Sequence, residues 1–363
     1  MARKLSSDFT LVAVTVALLG FGLVMVWSAS SALAQDKNGS AYHFLVRQGI
    51  WAVIGLLAMV AALRLDYRRL RHPAVVYSVV VVTTLLLILV LFLRPVNETH
   101  RWIRVAGLSF QPAEMAKVAV VLFLAYHIER RADRVNEFLP SLFPALLLLG
   151  WFAFLVFIQP DLGTAATLVL TGGVMLYLAG VRLRYFAALA IPGSAILYTA
   201  VMTAAYRRDR IEAFINPWSD ARGAGYQIIQ SLIAVGTGGL AGVGLMEGRQ
   251  KLFYLPYPYS DFIFAVIGEE LGMLGAAAVV LAFVLLLWRG LRAAWNAPDT
   301  FATFLAAGLT LSVVIQAFVN ISVVLGLLPT KGIPLPFISA GGTSLVFAML
   351  AVGLVLNVSQ HAD

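Results

Sequence analysis

About ten segments of the chain are apolar and long enough to cross a lipid bilayer as a helix, which takes about 20 residues. They lie near residues 9–34, 48–65, 74–94, 112–128, 140–158, 163–181, 185–205, 262–288, 301–325 and 340–358. A water-soluble fold of 363 residues cannot bury a chain that is 61% hydrophobic and 12% charged. The sequence therefore predicts an all-α polytopic membrane protein, with residues 1–363 forming one transmembrane domain of about ten helices.

The connection between the seventh and eighth segments, residues 206–261, is the longest. If the amino terminus with Arg3 and Lys4 is cytoplasmic, this connection is extracytoplasmic, and half of the 26 Lys and Arg residues lie on each side. The inner ones are concentrated in short loops, where the positive-inside bias is strongest. Outer basic residues would suit an anionic lipid head group, with solvated loop charges as the alternative. Residues 228–235 are apolar but too short to span, which predicts a re-entrant or interfacial helix.

Several kinds of chemistry lack the residues they need. The chain has no cysteine, so disulfides, thiolate nucleophiles and cysteine metal sites are excluded. Its five histidines are scattered without metal-ligand spacing, and no nucleotide-binding glycine loop occurs. The net charge of +8 is spread along the membrane surfaces rather than gathered with aromatic residues, so nucleic acid is not a predicted partner.

Asp261 is the strongest candidate for chemistry. It follows the aromatic and proline-rich stretch LPYPYS and directly precedes an apolar run that begins FIFAVIGEELG. The carboxylate is therefore expected at the membrane surface, at the start of a helix, where the helix end favours its ionised form. That form suits a general base. Ser260 or Asp261 acting as the helix cap is an alternative that is compatible with this role.

Two pairs of charged residues fall near or inside predicted helices, where an unpaired charge is costly. Glu114 and Lys117 are three residues apart at the head of the fourth helix, so they share a face and can form a salt bridge. Glu269 and Glu270 lie about 12 Å along the eighth helix at 1.5 Å per residue. At that depth they are expected to pack against donors or to line a wet cavity.

Two short connections between helices also carry polar residues. Gln159 and Asp161 belong to the tight turn QPDLG, for which ordinary turn chemistry is an equal explanation. Lys331 lies in the segment LLPTKGIPLPFISAGGTS, whose prolines exclude helix on either side of it. Its ammonium group is expected either to reach the membrane surface or to contact phosphate.

Five motifs, in this order, resemble those of the SEDS family, the RodA and FtsW proteins of bacterial cell-wall synthesis. They are RWIRVAGLSFQPAEMAKVA (101–119), QPDLGTA (159–165), NPWSDARGAGYQIIQS (216–231), KLFYLPYPYSDFIFAVIGEELG (251–272) and LLPTKGIPLPFISAGGTS (327–344). The resemblance implies ten transmembrane helices, a bacterial plasma-membrane location and peptidoglycan glycosyltransferase activity on lipid II. By the motif DFIFA, the essential aspartate of the family corresponds to Asp261. Its paired acid and lysine correspond to Glu114 and Lys117.

The chain departs from the family pattern around the aspartate. Tyr259 and Ser260 stand where a His-Thr pair is usual, Tyr257 stands where an acidic residue is common, and Ala340 replaces the tyrosine of ISYGG. These changes predict different packing of the loop. The motif PTKG leans toward the division member of the family, while IPLPFIS occurs in both, so the choice between an elongation and a division role stays open.

The resemblance implies a mechanism at the outer face of the membrane. Asp261 would act as the base for the acceptor sugar hydroxyl, and undecaprenyl pyrophosphate would leave with inversion at the anomeric carbon. The leaving group needs positive charge, for which the candidates are Arg101, Lys117, Arg249 and Lys331. A divalent cation, Mg²⁺ or Mn²⁺, is an alternative or additional source. The supporting residues are predicted to be Glu114, Gln159, Asp161, Glu269, Glu270 and Ser339.

The family also implies partners, and one other function competes with glycosyl transfer. Expected partners are the lipid bilayer, lipid II, a class B penicillin-binding transpeptidase and other proteins of the elongation or division complex. One alternative is a flippase for a polyprenyl-linked precursor, favoured by the interrupted segments near 236–244 and 329–336, because broken helices mark transport sites. A scaffold that activates the transpeptidase is an additional role rather than a rival.

Overall fold

The structure, a computed structural model, describes residues 8–95, 99–105 and 108–361. Arg3 and Lys4, on which the predicted orientation depends, lie outside these ranges. The described residues form twelve α-helices and one antiparallel hairpin, with strands β1 (Ile103–Val105) and β2 (Leu108–Phe110). The helices are α1 (Phe9–Asn38), α2 (His43–Arg64), α3 (Pro73–Phe92), α4 (Pro112–Arg130), α5 (Phe143–Ile158), α6 (Leu162–Leu178), α7 (Leu183–Met202), α8 (Ala205–Ile215), α9 (Tyr226–Gly238), α10 (Ile263–Trp295), α11 (Thr300–Val324) and α12 (Thr343–Ser359).

Each of the predicted membrane segments coincides with a helix, namely α1 to α7 and α10 to α12. Within the described ranges, seven helical stretches are both long and apolar enough to cross a membrane, and α6 and α12 are shorter apolar helices. The prediction of an all-helical, multi-pass membrane protein is confirmed. Two segments are longer than predicted, because α1 continues to Asn38 and α10 continues to Trp295.

The helix bundle has a buried centre and an apolar outer surface. Helices α4 and α11 bury most of their side chains and pack on each other, while α12 packs along α2. By contrast, α7 exposes large apolar residues along its length, including Ile191 and Ile196, and packs chiefly on α8. Exposed apolar surface on this scale is what contact with hydrocarbon requires.

The connection predicted at 206–261 contains two helices. The predicted re-entrant or interfacial helix at 228–235 corresponds to α9, which buries Ile228, Ile229 and Ala234 and packs on α10 and α11. Ser231 Oγ donates to the Val324 carbonyl at 2.7 Å. Helix α8 was not predicted, because its sequence AYRRDRIEAFI is too polar to resemble a membrane segment.

Helix α10 is interrupted at Gly272, where φ is 62° and ψ is −163°. The glycine-rich stretch after α9 hydrogen-bonds into the break: Val243 N–H donates to the Glu269 carbonyl at 3.0 Å, and Met273 N–H donates to the Gly239 carbonyl at 2.9 Å. A Cβ at residue 272 would lie 2.3 Å from the nitrogen of Gly242, so only glycine fits there. The break separates a buried half, residues 263–270, from a longer half that extends to Trp295.

Candidate active site

Asp261 lies in an irregular segment directly before α10. The helix begins at Ile263, its N-cap is Phe262, and no side chain in the described chain caps it. The alternative in which Ser260 or Asp261 caps this helix is therefore wrong. Ser260 Oγ donates to Asp261 Oδ1 at 3.0 Å, and Asp261 lines a cavity.

The backbone beside this carboxyl group is held by the segment that precedes α12. Ala340 N–H donates to the Tyr259 carbonyl at 2.9 Å, and Ser339 Oγ donates to the Ser260 carbonyl at 2.6 Å. The Ser339 hydroxyl also accepts a hydrogen bond from Leu335 N–H at 2.8 Å. Ser339, predicted as a supporting residue, is buried and contributes by holding this backbone.

The cavity in front of Asp261 has a volume of about 510 Å³. Its walls come from α2, the hairpin, the turn between α5 and α6, α8, α9 and the segments before α10 and α12. The charged and aromatic side chains among its lining residues are Arg47, Arg101, Arg104, Arg210, Lys331, Glu114, Asp161, Asp261, Phe44, Trp51, Trp102, Tyr206, Tyr257, Tyr259 and Phe262. The excess of cations, most of them arginine, suits an anionic ligand such as a phosphate.

Arg101 is fixed by the turn between α5 and α6. Its Nε donates to the Gln159 carbonyl at 3.0 Å, Nη2 donates to the Pro160 carbonyl, and Nη1 lies 4.0 Å from Asp161 Oδ1. The Gln159 side chain is fully buried and donates to the Leu87 carbonyl at 3.0 Å. Gln159 therefore reaches the site through its backbone. Because a guanidinium group has five N–H donors, Arg101 keeps hydrogen atoms for a ligand.

Arg210 and Lys331 form a second group of cations. Arg210 Nη1 donates to the Thr330 carbonyl at 2.7 Å, and its guanidinium group lies 4.4 Å from the centroid of the Tyr206 ring. Burial, together with a smaller contribution from the charge of Arg210, lowers the pKa of Lys331 to about 8, while Asp161 opposes the shift. Residues from α8 and from the segment before α12 thus share one wall.

The electrostatic environment of Asp261 favours a proton acceptor. Burial raises the pKa of its carboxyl group to about 6, and the nearby Asp161 contributes in the same direction. The hydrogen bond from Ser260 and the charges of Arg101 and Arg210 lower the pKa and so limit the rise. A carboxyl group with this pKa is mostly ionised at pH 7 and is a stronger base than an ordinary aspartate.

Asp161 has a structural role and also lies in the cavity. Its side chain caps α6 by accepting from Thr164 N–H at 3.2 Å and from Thr164 Oγ1 at 2.9 Å. Gln111 Nε2 donates to Asp161 Oδ2 at 3.1 Å. The turn chemistry weighed from the sequence is therefore present, and the same carboxylate faces Arg101.

Glu114 and Lys117 form the predicted salt bridge, with Lys117 Nζ 2.7 Å from Glu114 Oε2. Both side chains are buried, and Lys117 Nζ also donates to Gln316 Oε1 on α11. Glu114 lines the large cavity, whereas Lys117 lines a separate cavity of about 20 Å³ beside α11 and α12. The ammonium group of Lys117 therefore neutralises Glu114 and is not part of the lining of the large cavity.

Glu269, Glu270 and Arg249 lie outside that lining. Glu269 Oε1 accepts backbone hydrogen bonds from Arg249 at 2.8 Å and from Gln250 at 3.1 Å. Glu270 is fully buried and pairs with Lys251 at 2.6 Å. The two glutamates fasten the glycine-rich stretch and residues 246–251 to α10, and the side chain of Arg249 is exposed.

Glu270→Gln is expected to lower the free energy of unfolding by about 3–5 kcal/mol, because it leaves the buried Lys251 ammonium group without its partner charge. Thermal unfolding in one detergent measures the loss. Glu212→Gln is the matched control, since Glu212 forms an exposed pair with Arg208 and should cost about 0.5 kcal/mol or less. Near-equal losses in the two variants would contradict the assignment of Glu270 to a buried structural pair.

The sequence did not decide whether a divalent cation takes part. Within residues 8–95, 99–105 and 108–361, no group of three or more His, Asp and Glu side chains is placed to hold a metal ion. The acidic side chains that line the cavity already have protein partners: Ser260 for Asp261, Thr164 and Gln111 for Asp161, and Lys117 for Glu114. The positive charge available from the described residues is that of the arginines and Lys331.

Three cavity cations were not singled out from the sequence. Arg210 counted only as one of the charges in the long connection. Arg47 lies in α2 and donates to Ser109 Oγ at 3.3 Å, and Arg104 lies on β1. The hairpin carries no hydropathy signal, so only its position inside a resembling motif could have drawn attention to Arg104.

The fold and the cavity together define a multi-pass, all-helical membrane protein with a cation-rich pocket around one carboxylate. The family described as "Cell cycle protein", represented by FtsW, RodA and SpoVE, matches residues 9–363. "Probable peptidoglycan glycosyltransferase FtsW" of Geobacter metallireducens is 44% identical over 358 residues, which cover 98% of this chain and 95% of that protein.

Two solved structures resemble this fold and support the same family. A chain from a structure described as "Structural coordination of polymerization and crosslinking by a peptidoglycan synthase complex" superposes with a TM-score of 0.80 at 30% identity and 98% coverage of both chains. The rod shape determining protein RodA of Thermus thermophilus superposes with a TM-score of 0.71 at 27% identity, covering 98% of this chain and 97% of that one. The chain belongs to the FtsW, RodA and SpoVE family, which confirms the resemblance found in its motifs.

Proposed function

We propose that the protein is a peptidoglycan glycosyltransferase that polymerises lipid II into glycan strands at the outer face of the bacterial plasma membrane. The observation that carries this proposal is the cavity of about 510 Å³ in which Asp261 faces Arg101, Arg210 and Lys331. A base beside several cations is the arrangement needed to activate a hydroxyl group and to expel a pyrophosphate. The activity named for the relative from Geobacter metallireducens supports the same reaction class.

In the proposed reaction, the 4-hydroxyl of the acceptor sugar attacks the anomeric carbon of the donor. The proton passes to the Asp261 carboxylate as the new carbon–oxygen bond forms. The bond to undecaprenyl pyrophosphate breaks, and the pyrophosphate leaves with the electron pair. Attack opposite the leaving group inverts an α-linked donor to a β-1,4 bond. One carboxylate suffices, because pyrophosphate leaves without a general acid, unlike the leaving groups of glycosidases.

The leaving group is stabilised by the cations of the cavity. Arg101 presents its remaining N–H donors from the rigid turn between α5 and α6. Arg210 supplies charge from α8 and Lys331 from the segment before α12, and the Thr330 carbonyl holds the Arg210 guanidinium group in place. Because these groups are fixed before substrate binds, little reorganisation is needed when charge develops on the phosphates. Two carboxylates limit the positive potential at the cavity wall. Glu114 is held by its salt bridge with Lys117, and Asp161 is held by a hydrogen bond from Thr164.

A penicillin-binding transpeptidase of class B is the proposed partner. The structural neighbour with the higher TM-score comes from a peptidoglycan synthase complex described as coordinating polymerization and crosslinking. A strand polymerase and a crosslinking enzyme act on the same product, so a shared complex passes each new strand directly to the second enzyme. Other proteins of an elongation or division complex would bind on the same basis.

A flippase for the lipid-linked precursor is the competing function. The break at Gly272 and the glycine-rich stretch beside it are the features that favour it, since broken helices occur at transport sites. However, the glutamates next to the break are occupied: Glu269 accepts backbone N–H groups, and Glu270 pairs with Lys251. Neither buried carboxylate is free to bind a travelling ion, so polymerisation is the stronger proposal.

A polymerisation assay with purified lipid II in detergent distinguishes the two functions. It is run with the protein alone and with the protein bound to a transpeptidase partner that has no glycosyltransferase domain. Detergent abolishes the two-sided membrane that a flippase needs, so only a polymerase yields product. We expect long glycan strands, with release of undecaprenyl pyrophosphate for each bond formed. No strand from the folded complex, together with transfer of lipid II across the bilayer of sealed vesicles, would refute polymerisation and favour transport.

A further inference from the structure

A single buried side chain on α11 contacts two of the segments that form the candidate site. Asn320 is 1% exposed. Its Nδ2 donates to the Asp261 carbonyl at 2.8 Å and to the Ile333 carbonyl at 2.7 Å. Asp261 carries the proposed base, and Ile333 lies two residues after Lys331. One amide group therefore ties the segment of the base to the segment of a proposed phosphate-binding cation.

The chemistry of the amide makes this contact specific. A side-chain NH₂ group has two hydrogen atoms, and Asn320 uses one for each segment. Both neighbours are carbonyl groups, which fixes the amide nitrogen rather than the oxygen on this side. The Asn320 Oδ1 atom has no hydrogen-bond partner in the described part of the chain. Within the described residues, the hydrogen bonds that orient this side chain are thus the two that it donates.

Asn320 links the two segments at Asp261 itself and two residues after Lys331, whereas Ser339 and Ala340 link them through the carbonyl groups of Ser260 and Tyr259. One turn earlier on α11, Gln316 Nε2 donates to the Pro334 carbonyl at 2.8 Å. This bond holds the segment before α12 but does not reach Asp261. A Cβ at Gly332 would lie 2.9 Å from Asp261 Oδ2, so the backbone after Lys331 already packs closely against the carboxylate. A small shift of that segment would change the environment of the base directly.

We propose that Asn320 is a positioning residue that sets the distance between the Asp261 carboxylate and the Lys331 segment. The inference rests on the proposed glycosyl transfer, in which the base and the phosphate-binding charge must act on the two ends of one reacting centre. A displacement of about 1 Å in such a centre can cost about 10²-fold in rate. Asn320 touches no reacting atom and acts through the two backbones that it holds.

The test replaces Asn320 by Leu, which has a similar size but donates no hydrogen bond. The matched control is Asn357→Leu. Asn357 is also fully buried in a helix, and it donates to the Leu63 carbonyl at 2.7 Å and accepts from Tyr67 N–H at 3.2 Å, away from the cavity. Both variants lose a buried asparagine, so they should lose similar stability. Thermal unfolding and binding of the transpeptidase partner verify that each is folded.

Two measurements follow on the folded variants. In the lipid II assay, Asn320→Leu should lower kcat by about 10- to 100-fold with KM changed less than about 3-fold, whereas Asn357→Leu should lower kcat less than about 3-fold. Independently of activity, labelling of the Lys331 amine as a function of pH, followed by mass spectrometry, reports the surroundings of that segment. Its midpoint should move from about 8 toward the ordinary lysine value in Asn320→Leu only.

The outcomes separate the inference from the proposed function. A shifted Lys331 midpoint in Asn320→Leu alone, with no polymer from the parent protein, would uphold the link between the segments and overturn glycosyl transfer. Polymer from the parent with unchanged kcat and unchanged midpoint in Asn320→Leu would overturn the positioning role. Equal changes in Asn320→Leu and Asn357→Leu would do the same, because they would reduce Asn320 to a general contributor to stability.

Discussion

Asp261→Asn is expected to lower kcat for lipid II polymerisation by about 10²–10⁴-fold, the range supplied by a positioned general base. The amide has the size of the carboxylate and can still accept a hydrogen bond from Ser260, but it cannot take up the proton of the acceptor hydroxyl. The product is measured as glycan strands formed from purified lipid II by the complex with the transpeptidase partner. Asp209→Asn, an exposed carboxylate outside the cavity lining, should leave kcat within about 2-fold.

The same experiment has a pH dependence with a defined sign. A general base works when it is deprotonated, and burial raises the pKa of Asp261 to about 6. The kcat/KM of the parent should therefore be low near pH 5, rise through about pH 6 and level off near pH 7. The residual rate of Asp261→Asn should lack this rise. Equal yields of strands from the parent and from a folded Asp261→Asn complex would show that Asp261 is not the general base.

Arg210→Ala is expected to lower kcat/KM by about 10²-fold, comparable to removal of one preorganised donor at a developing negative charge. The substitution removes the guanidinium group from the cavity and frees the Thr330 carbonyl next to Lys331. The assay is initial-rate polymerisation over a series of lipid II concentrations. Arg210→Lys should recover only part of the loss, because lysine supplies charge without the planar set of donors.

Arg208→Ala is the matched control for Arg210→Ala. Arg208 lies on the same helix, α8, but about half of its side chain is exposed, in a pair with Glu212. Since an exposed pair contributes little, this change should leave kcat/KM within about 2-fold. Similar losses from both substitutions would indicate a general effect of positive charge on α8 and would contradict a specific role for Arg210.

The membrane helices were predictable because hydrocarbon imposes a length and a composition on each crossing segment. Every predicted segment contains a helix, and the short apolar stretch at 228–235 is the core of α9. The location of Asp261 directly before an apolar helix was predictable for a related reason, and a carboxylate at such a boundary is costly, which makes it a candidate for function. These signals are local, so one sequence suffices to detect them.

The composition of the cavity was not predictable, because it depends on contacts between distant parts of the chain. Arg210 and Arg249 lie in the same long connection, yet only Arg210 lines the cavity. Lys117 belongs to the same motif as the cavity residue Arg101, but its ammonium group contacts Glu114 and Gln316. Spacing along the chain reveals that a charge needs a partner. It does not reveal whether the partner is a ligand or another side chain.

The glutamates of α10 illustrate the same limit. Their depth along the helix indicated burial, which the structure bears out, since Glu269 is 3% and Glu270 0% exposed. Their partners come from α1 and from residues 246–251, including Ser28 and Lys251. The break at Gly272, which brings that stretch against the helix, has no hydropathy signal, because glycine is common in membrane helices.

The hydrogen bonds from Ser339 and Ala340 that hold the backbone beside Asp261 also bear on how the protein folds during its synthesis. The carbonyl groups of Tyr259 and Ser260 are held by Ala340 and Ser339, which leave the ribosome about eighty residues later. Until Ser339 and Ala340 are inserted, those two carbonyl groups lack the hydrogen bonds that hold them in the folded protein. These bonds are therefore among the late contacts of the candidate site to form during synthesis.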